Sequence, residues 1–277
     1  MKFTANHPGI NVNVTPTHPL KEFALLAVGL LAIVAAVYLA LGLAVDLIVP
    51  RLSMNLEKKL AGAFTGRLAQ TDATTDSSRS LQALVDRLQD RCAPLPYSIT
   101  IHIHQSDAVN AAALPGGHVV VFSGLLAEMT SENELAFVLA HELGHYAHRD
   151  HLRGLGRALV LMAASTLLFG ADNSISSMIG QGMTLSELSF SRKQESQADA
   201  FALETLACHY GHVAGATAFF KKIHRAGDPG RFGHYFSSHP ENQRRIDHLE
   251  KLAGRRGYPS KNLLPLPDDL IVLKNPS

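Results

Sequence analysis

No stretch constrains this chain more than the pentad His141-Glu142-Leu143-Gly144-His145. Two imidazoles four positions apart share a face only on an α-helix, so a metal ion held by both requires a helix, with Glu142 on its flank. The surroundings agree. Ser131 followed by Glu134 reads as a capping box, and Leu135, Val138, Leu139 and Tyr146 recur at helical spacing, predicting a helix of about sixteen residues. A catalytic zinc takes three protein donors and keeps a fourth position for water, so beyond His141 and His145 the chain must supply one more donor. Taken alone, the pentad also fits a solvated helix whose His and Glu face water.

Glu195 is the candidate third donor. From Leu185 to Tyr210 the apolar residues Leu188, Ala198, Phe201, Ala202 and Leu206 fit a helical stripe, and Gly211 is a suitable stop. Glu195 and Asp199 then share a face. A ligating imidazole usually gives its other N–H to a carboxylate, a task open to Asp199 for either His141 or His145. His151, ten positions after His141, is the rival donor. The pattern that uses a third histidine there places glycine where this chain has His148, so that the helix can stop and reverse. His148 carries a Cβ and is read as solvated. Without the pentad, Glu195 and Asp199 are ordinary exposed acids beside Arg192 and Lys193.

Tyr97 to His104 alternates, with Ile99, Ile101 and Ile103 on one side and Thr100, His102 and His104 on the other, which is the period of a half-buried strand. Asn110 to Phe122 reads as two extended pieces bent at Pro115-Gly116-Gly117. Gly116, Gly117, His118, Val119 and Val120 are the candidate substrate-binding residues, with the valine-rich arm as an edge strand that holds an extended peptide through main-chain hydrogen bonds. A plain hairpin is the alternative. Further on, Pro240 suits the first turn of a helix through Ile246, Leu249 and Leu252, which leaves His239 at its start, facing a developing negative charge. His234 and Tyr235 compete for that task, and Arg245 either braces the site or pairs with a surface acid.

Phe23 to Val45 contains no charged residue. At 1.5 Å per residue such a run covers roughly 34 Å, enough to cross the hydrocarbon layer. It predicts one transmembrane anchor, assigned to 23–49, with a cleaved signal peptide as the rival. Lys2 and Lys21 precede it while Arg51, Lys58, Lys59 and Arg67 follow, a balance that leans toward a cytoplasmic catalytic domain. A second apolar stretch, Ala158 to Phe169, is too short to span and is read as a buried helix; the connection that follows to Gly182 is a candidate lid. A net charge of +1, with neither a phosphate loop nor an aromatic platform, excludes nucleic acid as the expected partner. Cys92 and Cys208 are too few and too far apart to suggest a disulfide framework and are read as packing residues. The expected organisation is a polar tail (1–22), the anchor (23–49), a helical connector (50–94), a catalytic domain (95–254) and a peripheral tail (255–277).

Four stretches, in order over roughly Ile99 to Leu252, carry a resemblance to a known family. They are Asn110 through Gly117 with the following His-Val-Val-Val, the pentad, Ser191-Arg192-Lys193-Gln194-Glu195 through Asp199, and Ser238-His239-Pro240 with Arg245. Together they resemble the M48 zinc metallopeptidases, which include prenyl-protein, HtpX-type and periplasmic BepA-like proteases. The resemblance implies one Zn2+ per chain held by His141, His145 and Glu195, Glu142 as catalytic base, and His239 near the reacting carbonyl. It also implies polypeptide substrates and a role in protein quality control. The expected fold is α+β: a mainly helical zincin-like metallopeptidase domain with a small β-sheet, preceded by one transmembrane helix. A single span departs from the multi-span prenyl-protein proteases and puts that substrate class in doubt. The competing reading is a membrane-tethered, non-proteolytic peptide-binding or chaperone module with a structural zinc. A structural site is usually closed by four donors, and no fourth is evident in the sequence. The membrane lipid is expected to be met through residues 23–49, and the oligomeric state is left open.

Overall fold

A computed structural model describes residues 18–59, 76–170, 190–226, 229–240 and 242–271. The chain divides into two units, Met1–Ala44 and Val45–Ser277. The described part of the first belongs to helix α1 (Pro19–Ile48), in which no residue is buried although nearly all are apolar. So long an uncovered apolar surface is costly in water and natural in lipid, which makes α1 a candidate membrane span.

The second unit is mainly helical around a three-stranded sheet. After a short 3-10 turn (Val49–Arg51) come α2 (Asp76–Arg91), β1 (Thr100–His104), β2 (Ala111–Leu114), β3 (His118–Phe122), α3 (Ser123–Glu128) and α4 (Glu132–Ala147). Then follow α5 (Asp150–Phe169), α6 (Arg192–Tyr210), α7 (Ala218–Ala226), α8 (Pro229–Ser238), α9 (Asn242–Arg256) and α10 (Asp268–Ile271). The sheet order is β1-β3-β2, with β3 parallel to β1 and antiparallel to β2. One core gathers Leu81, Leu84 and Leu88 of α2, the three isoleucines 99, 101 and 103, the apolar face of α4, and Leu203 and Leu206 of α6. α4 runs through the middle of it, buried from Asn133 to Tyr146.

Local chemistry sets these elements. Ser131 caps α4 by accepting from the Glu134 N–H at 3.2 Å, but the Glu134 carboxylate turns to Thr130 rather than completing a box. The full box occurs at α6, where Ser191 Oγ accepts from the Gln194 N–H and Gln194 Oε1 accepts from the Ser191 N–H. α6 starts at Arg192, and Leu185 and Leu188 of the expected stripe lie outside the described residues. The β2–β3 turn needs its glycines: Gly117 has φ 94°, and a Cβ there would stand 2.4 Å from the Ser98 carbonyl oxygen.

Several expectations are corrected. β3 is the central strand, so its main-chain groups are taken by β1 and β2; the edges are β1 and β2. The alternation of isoleucines held, yet it could not say which arm of the hairpin lay outside. α4 does stop and reverse without glycine, because Arg149 adopts φ 56° and its guanidinium donates to the carbonyls of Val49 and Leu52. Cys92 and Cys208 form a disulfide that ties the end of α2 to α6 across 116 positions of sequence. Ala158 to Phe169 continues α5, but Leu159 is 40 % exposed and most described side chains of that half are only partly covered, so it is not a buried helix. The stretch from Arg255 is not a loose tail. α9 continues to Arg256, Leu266 and Leu270 are buried, and the Ser77 hydroxyl donates to the Asp269 carbonyl at 2.7 Å. The candidate lid to Gly182 lies outside the described residues.

Candidate metal centre

α4 presents His141 and His145 on one face, their Nε2 atoms 3.1 Å apart. α6 packs against that face and brings Glu195 to it: Oε2 is 3.5 Å from His141 Nε2 and Oε1 is 3.5 Å from His145 Nε2. All three are buried. Donors at about 2.0–2.1 Å from a tetrahedral ion stand roughly 3.4 Å from one another, so these spacings suit a small divalent cation. Glu142 Oε1 is buried without a hydrogen-bond partner among the described residues, whereas Glu195 Oε2 lies against the Arg245 guanidinium at 2.6 Å. An unpaired buried carboxylate oxygen beside two imidazoles and a second carboxylate suits a bound cation and its water.

The outer nitrogens of both imidazoles are held. Asp199 Oδ1 lies 3.0 Å from His141 Nδ1, and Asp150 Oδ2 lies 3.1 Å from His145 Nδ1. Asp199 was expected for one of the two; Asp150 was missed. The available signal was chemical: once Asp199 serves one imidazole, the other still lacks a carboxylate, and Asp150 follows where the helix ends. Phe190, stacked on His145 at 3.8 Å between ring centres, left no sequence signal.

Arg245 reaches in from α9. Its Nη2 is 2.6 Å from Asp199 Oδ1 and its Nη1 is 2.6 Å from Glu195 Oε2, while its guanidinium lies over the Phe220 ring. It braces two acids of the site and is not a surface partner. His239 comes closer than expected. Its Nδ1 is 3.0 Å from Glu195 Oε1 and 3.3 Å from His141 Nε2, and its Nε2 is 3.7 Å from Glu142 Oε1. His141, His145, Glu195 and His239 thus lie close enough together to hold one ion, which makes His239 a fourth candidate donor that the sequence did not reveal. Tyr235 stacks on His239 at 4.9 Å.

The rival and the neighbours fall elsewhere. His151 points away from the centre and pairs with buried Glu57 at 3.0 Å. His148 stays partly exposed, with Nδ1 on the Gly144 carbonyl. His102 is more buried than a half-exposed strand implies, paired to His118 at 2.9 Å on the far side of the sheet from the isoleucines. Of the expected peptide-binding residues, Gly116 donates its N–H to Glu57 at 3.1 Å, and Val119 and Val120 are interior to the sheet. β2 approaches the centre instead: the Ala113 N–H donates to Glu142 Oε2 at 3.0 Å.

Electrostatics separate the groups. Burial pushes the Glu142 carboxyl up, and the positive potential of His239 and His145 with the Ala113 N–H only partly offsets it. Burial also opposes charge on Glu195 and Asp199, but His239 and Arg245 for the first and Arg245 and His141 for the second hold both well within the ionised range. Burial and the Arg245 charge bring His141 down to about 4, leaving its imidazole neutral. Burial works to lower the His145 pKa, but the hydrogen bonds of Asp150 and Glu195 outweigh it and push that imidazole up to about 10, so an ion bound there displaces its proton. The ionised Glu195 and the raised Glu142 suit a donor and a proton-transfer group.

The profile of peptidase family M48 matches residues 76–253. Among curated proteins, the metalloprotease YcaL of Escherichia coli is 32 % identical over 163 residues, covering 54 % of this chain and 61 % of YcaL. The mitochondrial metalloendopeptidase OMA1 of Bos taurus is 29 % identical over 167 residues, 55 % of this chain and 32 % of OMA1. An HtpX protease homologue of Salinibacter ruber is 32 % identical over 206 residues, 63 % of this chain and 75 % of that protein. The chain therefore spans less than two thirds of YcaL and about a third of OMA1.

Proposed function

This chain belongs to peptidase family M48, and from that membership we propose that it is a membrane-anchored zinc metalloendopeptidase. The observation that carries the reading is the convergence of Glu195, from a separate helix, on His141 and His145, each of which is oriented by its own aspartate. Zinc suits a donor set of two imidazoles and one carboxylate, and when bound it lowers the pKa of a coordinated water to about 7 and polarises a carbonyl. Glu142, held by the Ala113 N–H, takes the proton from the attacking water and returns it to the departing amine. His239 stands within reach of the charge that develops on the scissile oxygen. β2, whose free side is a sheet edge, is the strand on which an extended peptide pairs.

A second reading has one specific observation in its favour. With His239 in the donor group, four protein atoms surround one point, as in a closed structural site. Turnover on the first reading requires His239 to swing aside.

The apolar helix α1 supports a membrane anchor, with proteins in or at the bilayer as substrates and turnover of damaged ones as the role. The disulfide supports a catalytic unit on the exterior or periplasmic side, since such bonds persist in oxidising compartments. That outweighs the small lysine and arginine imbalance around α1.

The test uses the purified full chain and a mixed peptide substrate. Cleavage should stop on chelation and return with zinc, and Glu142→Gln should retain the metal but lose cleavage by about 10²–10⁴-fold. Undiminished cleavage by Glu142→Gln overturns the base assignment. Stoichiometric zinc with no cleavage of any peptide by the native chain favours the closed structural site.

A further inference from the structure

A second charged site lies on the far side of Asp150 from the metal centre. It is a cleft of about 630 Å³ lined by Asp46 and Pro50 at the end of α1, by Arg149, Arg153 and Arg157, and by Lys193 of α6. We propose that this cleft binds the phosphate of an anionic membrane lipid. The inference rests on the reading of α1 as a membrane anchor.

Position is the first argument. The uncharged run ends at Val45, so Asp46 and Pro50 stand where a spanning helix leaves the hydrocarbon, at the depth of lipid phosphates. The start of α5 packs beside residues 45–52. Arg149 donates to Val49 and Leu52, Arg153 and Arg157 reach Asp46 at 3.6 and 3.0 Å, and Gly156 lies against Val45. The three arginines recur every fourth position, so they rise through one face of the cleft at that depth.

Charge is the second. Four cations face two acids, Asp46 and Asp150, and the guanidinium fork matches phosphate geometry as it matches carboxylate. Asp46 now takes this position, with both carboxylate oxygens on the one nitrogen Arg157 Nη2 at 3.0 and 3.1 Å, so the rest of that guanidinium is not used by Asp46. Because Asp46 is 41 % exposed at its side chain, a lipid phosphate can take its place without stranding a buried charge. Apolar surface is the third argument, and it selects a lipid over free phosphate. Directly after Arg157, α5 becomes the apolar stretch from Ala158, in which Leu159 is exposed and available to an acyl chain. The site also touches the metal centre, because Asp150 holds Arg153 at 3.2 Å with one oxygen and His145 at 3.1 Å with the other.

The experiment purifies the full chain in detergent and measures retention of short-chain phosphatidylglycerol, short-chain phosphatidylcholine and inorganic phosphate by native mass spectrometry and competition. Phosphatidylglycerol should be retained over phosphatidylcholine. Arg153→Gln with Arg157→Gln should weaken that retention by about 25-fold, and exposed Lys193→Gln alone by about five-fold, at roughly a factor of five per surface cation. Asp46→Asn should tighten it, which a merely structural ion pair does not predict. Equal retention of both lipids, or no loss in Lys193→Gln, overturns the proposal; phosphate binding as tight as the lipid's assigns the cleft to a free anion and overturns the lipid. If the double arginine variant does not fold, Lys193→Gln and Asp46→Asn decide the matter. Peptide cleavage is not read, so failure of the catalytic reading leaves the result standing. Carbonate extraction of the chain from membranes would refute the anchor, whereas integration without lipid retention refutes only the cleft.

Discussion

Gly144 and Ala198 meet backbone to backbone: a Cβ on Gly144 would lie 2.8 Å from Ala198 Cα and 3.1 Å from its carbonyl oxygen. The fourth residue of the pentad therefore sets how closely α6 approaches α4, and Glu195, one turn before Ala198, inherits its distance to His141 and His145. Gly144→Ala should force the helices apart, cost about 1–3 kcal/mol of stability and weaken metal retention. Thermal unfolding and metal stoichiometry after dialysis measure both. A fully loaded, equally stable variant would mean that the contact does not govern the site.

Asp150→Asn removes the carboxylate that orients His145 while keeping the shape of the side chain. Metal affinity, measured by chelator competition, should fall by about 10–100-fold. His151→Ala should leave that affinity near the native value, since His151 faces Glu57 instead. Loss of metal in the second variant and not in the first would reverse the assignment of these two residues.

Opening the Cys92–Cys208 disulfide releases a long loop of unfolded chain, so reduction or Cys208→Ser should cost about 2–5 kcal/mol. Denaturant midpoints with and without reductant give the difference. Identical midpoints, or two reactive thiols in the folded protein as isolated from its native compartment, would rule the bond out.

Glu57 supplies a pH dependence of known sign. Burial works to raise its pKa, but the hydrogen bond and charge of His151, the Gly116 N–H and the Tyr97 hydroxyl overcome that and hold it below 4.5. The folded state thus releases this proton more readily than the unfolded chain. The resulting stabilisation is complete above pH 4.5 and is lost as the pH falls through the lowered value. Unfolding free energies from neutral to acidic pH should show native and Glu57→Gln proteins converging in acid, and a constant gap between them would refute the linkage.

The helices of the centre were legible because their signals are local. The His141/His145 spacing, the cap at Ser131 and the stop at Gly211 act within a turn or two of chain. Glu195 was legible as a donor by chemistry, since two imidazoles need a third partner. Two other features were not. Which arm of the hairpin is the edge depends on β1 arriving parallel beside β3. The pairing of Cys92 with Cys208 depends on α2 lying along α6.

His239 shows the division most clearly. Its residue type and its neighbour Pro240 marked it as a candidate for the site, but only the packing of α8 and α9 decided that it would stand 3.0 Å from Glu195, within the group that could hold an ion. Sequence by itself determined the helix that carries His141 and His145, the candidate third donor and the long apolar helix, because each is written in short-range spacing and composition. Tertiary structure alone decided the free strand, the disulfide, the carboxylate behind His145 and the approach of His239 to Glu195. Those depend on distances between segments far apart in the chain, which periodicity along one element cannot encode.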